Sequence, residues 1–419
     1  MMTTVVVSAY RVAGAPDIGG HFWVPLQYVH GLRRLGCEVY WLEQLSAAKR
    51  RRWPSADATF YKRMARFGLA DRSILYDVSE PGGDLLFLGS EPAAAEAVFR
   101  RADVLLNFHY AVEPAILARF RRTALIDIDP GLLQHWIAHG QIDVPPHDVY
   151  LTTGETVGTP GSRIPSCGLP WRRIRPPVCL DLWPYTYDPT CPRFTTVSTW
   201  LTPDWVTDGD RILFENTKRV AFLPYAELPS RTSAQLELAT YLEGSCDADD
   251  RRLLEGNGWR VRHSREVAAT PEAYRRYVQR SRGEFSCAKR SCMEFQNAWV
   301  SDRTLCYLAS GKPVVVQDTG PSRLLPNGEG MFRFSTLDGA ANALDAIEGS
   351  YEHQCRAARE IAETLFDARV ALAEMLDLIG APTRSQGARD SRSPGRQVCG
   401  APKNARSSAA VSSGASSGR

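Results

Sequence analysis

The sequence predicts an α/β protein made of two facing Rossmann-like, doubly wound domains followed by a disordered tail. Three observations carry that expectation. Short apolar runs alternate with stretches of helical spacing, the alternation breaks at a Pro- and Arg-rich stretch over residues 160–192, and it then starts again. The expected division is 1–178 for the first domain, 179–192 for a linker, 193–380 for the second domain and 381–419 for the tail. Within the first domain, Val5-Val6-Val7 is a β-branched run, and residues 23–35 are apolar at helical spacing and stop at Gly36. A strand over 38–42 follows. Strands are then expected over 84–88, 103–107, 123–128 and 147–153, with helices over 93–101 and 114–120. Buried strands separated by helices imply parallel pairing. Pro176-Pro177 suits neither a helix interior nor a central strand and marks the connection between domains. The second domain is read as strands over 193–199, 219–223, 259–261, 283–286 and 313–317. Its helices are expected over 234–242, 247–256, 271–280, 301–310 and within 337–379.

Composition narrows the function classes. The chain has 419 residues, 44% hydrophobic and 23% charged, as globular proteins do. Its net charge of +3 is deceptive, because residues 382–419 contain seven Lys or Arg and one Asp. Removing that +6 from +3 leaves the body at −3, which gives no basic excess for a nucleic-acid partner. The ten cysteines include no C-x-x-C pair and no cluster at zinc spacing, so reduced thiols and no metal are expected. The first ten residues hold no Lys or Arg and no apolar run reaches about 18 residues, so a cytoplasmic protein without an integral membrane segment is expected. The Ser-, Gly- and Ala-rich tail has little to bury.

Candidate site residues lie in loops beyond the strands, where open α/β sheets bind ligands. Gly19-Gly20-His21 precedes a helix, which suits close backbone approach, anion binding and a general base. His109 follows another strand. Asp127 and Asp129 share one side of a strand end, where one of them can orient a histidine, and Asp129 and Glu155 are candidate acceptor ligands. In the second domain Glu284 suits a ribose diol, while Lys289, Arg303 and the N–H groups at a helix start at Thr319-Gly320 suit a diphosphate. Asp302 stands beside Arg303 at a helix start, where Ser301 can serve simply as the cap. Neither half carries G-x-G-x-x-G after its first strand, which argues against a dinucleotide oxidoreductase.

These residues resemble the GT-B glycosyltransferases. The likeness rests on Gly19-Gly20-His21, on the helix 24–35 running into Gly36-Cys37-Glu38-Val39, and above all on Leu308-Ala309-Ser310-Gly311-Lys312-Pro313-Val314-Val315-Val316, which is similar to a donor-domain element of helix, glycine and strand. The resemblance implies transfer of a sugar from a nucleotide-activated donor to an unidentified acceptor in the interdomain cleft, without a metal or other cofactor. It implies that His21 is the base of an inverting enzyme, or that Gly19 and Gly20 lie near the donor phosphate of a retaining one. His109 would then lie near the transferred sugar. Glu284 resembles the first acid of a donor-domain pair whose second member is Cys292 here. A sugar-nucleotide epimerase and a non-catalytic nucleotide-sugar binding protein are the alternatives.

Overall fold

The run from Thr4 to Ala9 has no exposed face, and β1 (Thr4–Ala9) is accordingly buried along its whole length in the middle of a sheet. The computed structural model describes residues 2–78, 83–201, 205–209, 211–242 and 247–381. The expected disordered tail, apart from Ala381, lies outside the described residues.

Around β1 are β2 (Glu38–Gln44), β3 (Ser73–Val78), β4 (Leu85–Leu88), β5 (Val104–Asn107), β6 (Thr123–Asp127), β7 (Val149–Thr152) and β8 (Trp171–Arg173). Their order is β4-β3-β2-β1-β5-β6-β7-β8, parallel except for β3 with β4. Val7 faces Trp41 on one side and Leu106 on the other. A second sheet follows: β9 (Arg193–Val197), the separate hairpin β10 (Trp205–Asp208) and β11 (Arg211–Glu215), then β12 (Gln235–Thr240), β13 (Arg260–His263), β14 (Gly283–Ser286), β15 (Val314–Gln317) and β16 (Met331–Phe334). The second sheet is parallel in the order β13-β12-β9-β14-β15-β16. The strand order reverses between β1 and β5 and again between β9 and β14, so each sheet has one switch point where its loops part to leave a crevice.

Two stretches differ from expectation. Residues 234–242 are rich in helix formers, yet 235–240 form β12, because a strand buried on both faces pairs with β9 and β13. Residues 219–223 are expected as a strand, yet Lys218–Phe222 is a short helix whose Phe222 packs among Trp200, Trp259 and Phe285.

Chain order and packing also part company at the end. Helix Ala368–Ile379, expected within the second domain, lies against helix Trp23–Arg34 of the first. The approach is close enough that a β-carbon on Gly31 would come within 2.4 Å of Leu372 Cδ1. Val178 fastens the return by accepting from the Ala368 N–H at 3.0 Å and donating to the Phe366 carbonyl at 2.8 Å. The chain therefore crosses between the sheets twice, in residues 174–192 and again before Ala368.

A candidate active site between the two sheets

The loop after β1 is set by a buried acid near the end of β2. Glu43 Oε1 accepts from the N–H groups of Val12 at 2.6 Å and Ala13 at 2.7 Å, while Oε2 accepts from Trp41 Nε1 at 3.0 Å. Burial pushes the Glu43 carboxyl up to about 7, against the pull of those three donors. With the loop fixed, the Tyr10 carbonyl meets His21 Nε2 at 2.7 Å. A carbonyl only accepts, so this bond places the proton on Nε2 and leaves the lone pair on Nδ1. Burial lowers the His21 pKa below its ordinary value, opposed by the Tyr10 hydrogen bond and by Asp302. The imidazole is therefore neutral at pH 7. Tyr10 also stacks on His109, with ring centroids 4.6 Å apart, and burial pushes His109 down to about 4.

Other first-domain candidates have structural partners. Asp127 is fully buried and accepts from Gln134 Nε2 and Thr152 Oγ1, both at 2.7 Å, and from the Asp129 N–H at 3.0 Å. Burial raises it to about 6. No histidine is among its hydrogen-bond partners, so the expectation that it orients one gives way to a role in joining β6, β7 and the helix Leu132–Ala138. Asp129 is exposed and shares the Tyr110 hydroxyl, 3.3 Å away, with Asp127. Glu155, expected to hold an acceptor, is buried and accepts from Ser322 Oγ and from the Arg323 N–H at 2.8 Å, with Arg173 at 3.3 Å. It ties the two domains together. The glycines do the same. Gly19 donates its N–H to the Ala268 carbonyl at 2.7 Å, and a β-carbon there would fall 2.2 Å from the Thr270 carbonyl. Gly20 faces the Tyr274 ring. The expected donor-phosphate role of this loop is thus replaced by packing against the second domain.

In the second domain a small pocket opens beyond the carboxyl ends of β14 and β15, lined by Lys218, Ser286, Trp299, Arg303, Gln317 and Thr319 among others. Arg303 is held by three acceptors: Glu284 Oε1 at 2.7 Å, the Val197 carbonyl at 2.9 Å and Ser286 Oγ at 3.0 Å. Although burial alone would lower it, Glu284 keeps the guanidinium charged. Glu284 itself is fully buried and absent from the pocket lining, so the ribose role expected of it passes to orienting Arg303. Asp302 lies at the first position of the helix Asp302–Ala309, in a small cavity with Tyr28, Ile128 and Thr153 of the first domain. Burial raises its pKa, while His21 and Arg303 oppose the rise. Lys289 precedes the helix Arg290–Phe295 and is half-buried.

The helix start expected at Thr319-Gly320 does not form. Thr319 Oγ1 donates to the Trp299 carbonyl at 2.8 Å and Gly320 N–H to Asp318 Oδ1 at 3.0 Å, and no helix begins before β16. The cation that sequence reasoning missed is Lys218. Its ammonium is buried in the pocket, donates to the Cys287 carbonyl, and is lowered to about 8 by burial and by Arg303. Reading 219–223 as a strand hid its place at a helix start. Also unanticipated was the hairpin β10–β11, which leaves the end of β9 and reaches the first domain, where the Thr207 carbonyl accepts from His135 Nε2 at 2.8 Å and Gln141 Nε2 at 2.9 Å.

No protein-family model and no curated protein matches the sequence. Solved structures do match across its length. An alpha-glucosyltransferase in complex with UDP-glucose and DNA containing an abasic site is 10% identical, with 91% of this chain and 100% of that one covered at a TM-score of 0.57. HepE from Anabaena, in complex with UDP and glucose, is 11% identical over 90% of this chain and 99% of its own, at a TM-score of 0.51. AviGT4, a glycosyltransferase involved in avilamycin A biosynthesis, is 14% identical over 90% of this chain and 97% of its own, at 0.50. The chain has the GT-B fold. In this GT-B fold His21 belongs to the loop after β1, beside the first sheet's switch point, and the Lys218–Arg303 pocket belongs to the switch point of the second.

Proposed function

We propose that this protein is a glycosyltransferase that moves a sugar from a nucleoside-diphosphate donor to a hydroxyl acceptor between its two domains. The observation that carries the reading is the buried ammonium of Lys218 beside Arg303, in a pocket at one switch point, with the neutral His21 across the domain boundary. The UDP and UDP-glucose held by the similar structures support a nucleotide-sugar donor. In the proposed reaction the bond from the anomeric carbon to the diphosphate oxygen breaks as the acceptor oxygen attacks. The leaving diphosphate gathers charge against Lys218 and Arg303, which take the part a metal plays elsewhere. In an inverting reaction the acceptor proton goes to His21 Nδ1, while the Tyr10 carbonyl keeps Nε2 protonated. Asp129, exposed on the first-domain rim, is then an acceptor contact.

The test is a nucleotide-sugar panel assayed for stabilisation of the fold and for nucleotide release in the presence of EDTA. One donor is expected to stabilise the protein and to turn over without added metal. His21→Ala is expected to lower turnover by about 10² while leaving donor binding intact. Undiminished turnover in the folded variant removes the base role. Isomerised donor without nucleotide release replaces the transferase with an epimerase.

A further inference from the structure

A cluster of five arginines in the second domain lies away from the donor pocket. Arg193 opens β9 and Arg260 opens β13, whereas the donor pocket lies beyond the opposite ends of the strands. Five residues of strand separate these two ends of β9, or about 13 Å at ~3.3 Å per step. Arg193, Arg260, Arg262, Arg276 and Arg280 line a groove of about 310 Å³, against two carboxylates, Glu237 and Glu266.

Those two acids are already engaged. Glu237 is buried, accepts from the Tyr277 hydroxyl at 2.8 Å, and lies 3.2 Å from Arg260 and 4.0 Å from Arg262. Glu266 pairs with Arg262 at 3.0 Å. Among the described residues no carboxylate lies within 4 Å of Arg193, Arg276 or Arg280, so the groove keeps an excess of three positive charges in a body whose net charge is negative. Arginines in the last turn of the helix Pro271–Gln279, and just beyond it, complement its dipole, but that reason does not reach Arg193 or Arg260, which come from strands. Guanidinium groups converging from three elements, two of them oriented from below by a buried acid, match the bidentate geometry of phosphate oxygens.

We propose that this groove binds a small phosphorylated anion at a site separate from the sugar-donor pocket. Its volume accommodates a ligand of pyrophosphate size. The site does not depend on the transferase reading.

Calorimetric titration of the full chain with inorganic pyrophosphate tests it, with the wild type compared with Arg276→Gln/Arg280→Gln and with Lys218→Met. Both arginines are exposed and lie outside the donor pocket, so the double variant is expected to fold and to keep its UDP affinity. The tail is common to all three proteins and cancels in the comparison. The expected result is a pyrophosphate event that the double variant weakens by at least about tenfold and Lys218→Met leaves in place. Pyrophosphate binding that is unchanged in the double variant, or absent from the wild type at millimolar concentration, overturns the proposal. Binding of a single-stranded oligonucleotide, lost in the double variant while pyrophosphate does not bind, overturns it in favour of a macromolecular polyanion.

Discussion

Lys218 is the side chain on which the proposed donor site most depends, and its environment fixes how it should respond to pH. Burial and the neighbouring Arg303 both disfavour its charged form and bring its pKa to about 8. If a diphosphate binds the ammonium as proposed, affinity for UDP is expected to hold steady below pH 8 and to fall by up to tenfold per pH unit above it, as the free protein loses the proton first. Removing one charge-assisted contact costs about 1.5–3 kcal/mol, so Lys218→Met is expected to weaken UDP about 10- to 100-fold and to flatten the profile. Calorimetry between pH 6.5 and 9.5 reads both effects, and a wild-type profile that is already flat refutes the assignment. This residue was hidden in the sequence because its role comes from where a short helix starts. His21 stood out in the sequence as a histidine between a Gly-Gly pair and a helix, in the loop after the first strand. Glu284 and Arg303 were legible as charges but not as partners, because only the pairing of β14 with its neighbours and the seating of the helix Asp302–Ala309 bring two residues 19 apart into one ion pair.

At the scale of elements, the sequence announced those whose local pattern agrees with their surroundings. β1 and the helix Trp23–Arg34 belong to this class, as does the turn at Gly36, where φ is +85°. β12 does not, since its leucines, alanine and glutamate favour a helix until the sheet buries them on both faces. The hairpin β10–β11 is a different case. Its strands pair through Asp208 with Arg211, and Gly209 takes the positive φ of the connection, a single glycine signal within a long α/β alternation. Because the hairpin is fastened to the first domain through the Thr207 carbonyl, it acts as a strap across the domain boundary. His135→Ala with Gln141→Ala removes both donors, each worth about 0.5–1.5 kcal/mol. Amide exchange in residues 205–208 and 211–215 is expected to quicken by about tenfold while β1 stays protected. Unchanged protection in the hairpin shows that the strap is held by something other than these bonds.

The whole molecule combines two kinds of connection between its domains, and they differ in strength. Buried contacts such as Glu155 with the Arg323 N–H and Trp23 Nε1 with the Pro271 carbonyl at 3.1 Å lie close to the crossing strands of chain. Exposed ion pairs guard the rim, with Arg66 2.9 Å from Glu272 and Arg265 2.8 Å from Asp17. Ion pairs of that exposure contribute about 1 kcal/mol each at most and weaken with salt, so together they shift an open-to-closed equilibrium by no more than about thirtyfold. A ligand bound between the domains adds contacts only in the closed form. Glu272→Gln with Asp17→Asn is therefore expected to increase the radius of gyration measured by solution scattering. High salt should do the same to the wild type, and saturating donor should reverse both changes. The two crossings meet at Val178, joined by the pair of backbone hydrogen bonds to Phe366 and Ala368. Equal dimensions in the wild type and the variant, with and without donor and at both salt concentrations, would mean that the buried contacts alone hold the domains and that the rim pairs take no part in closure.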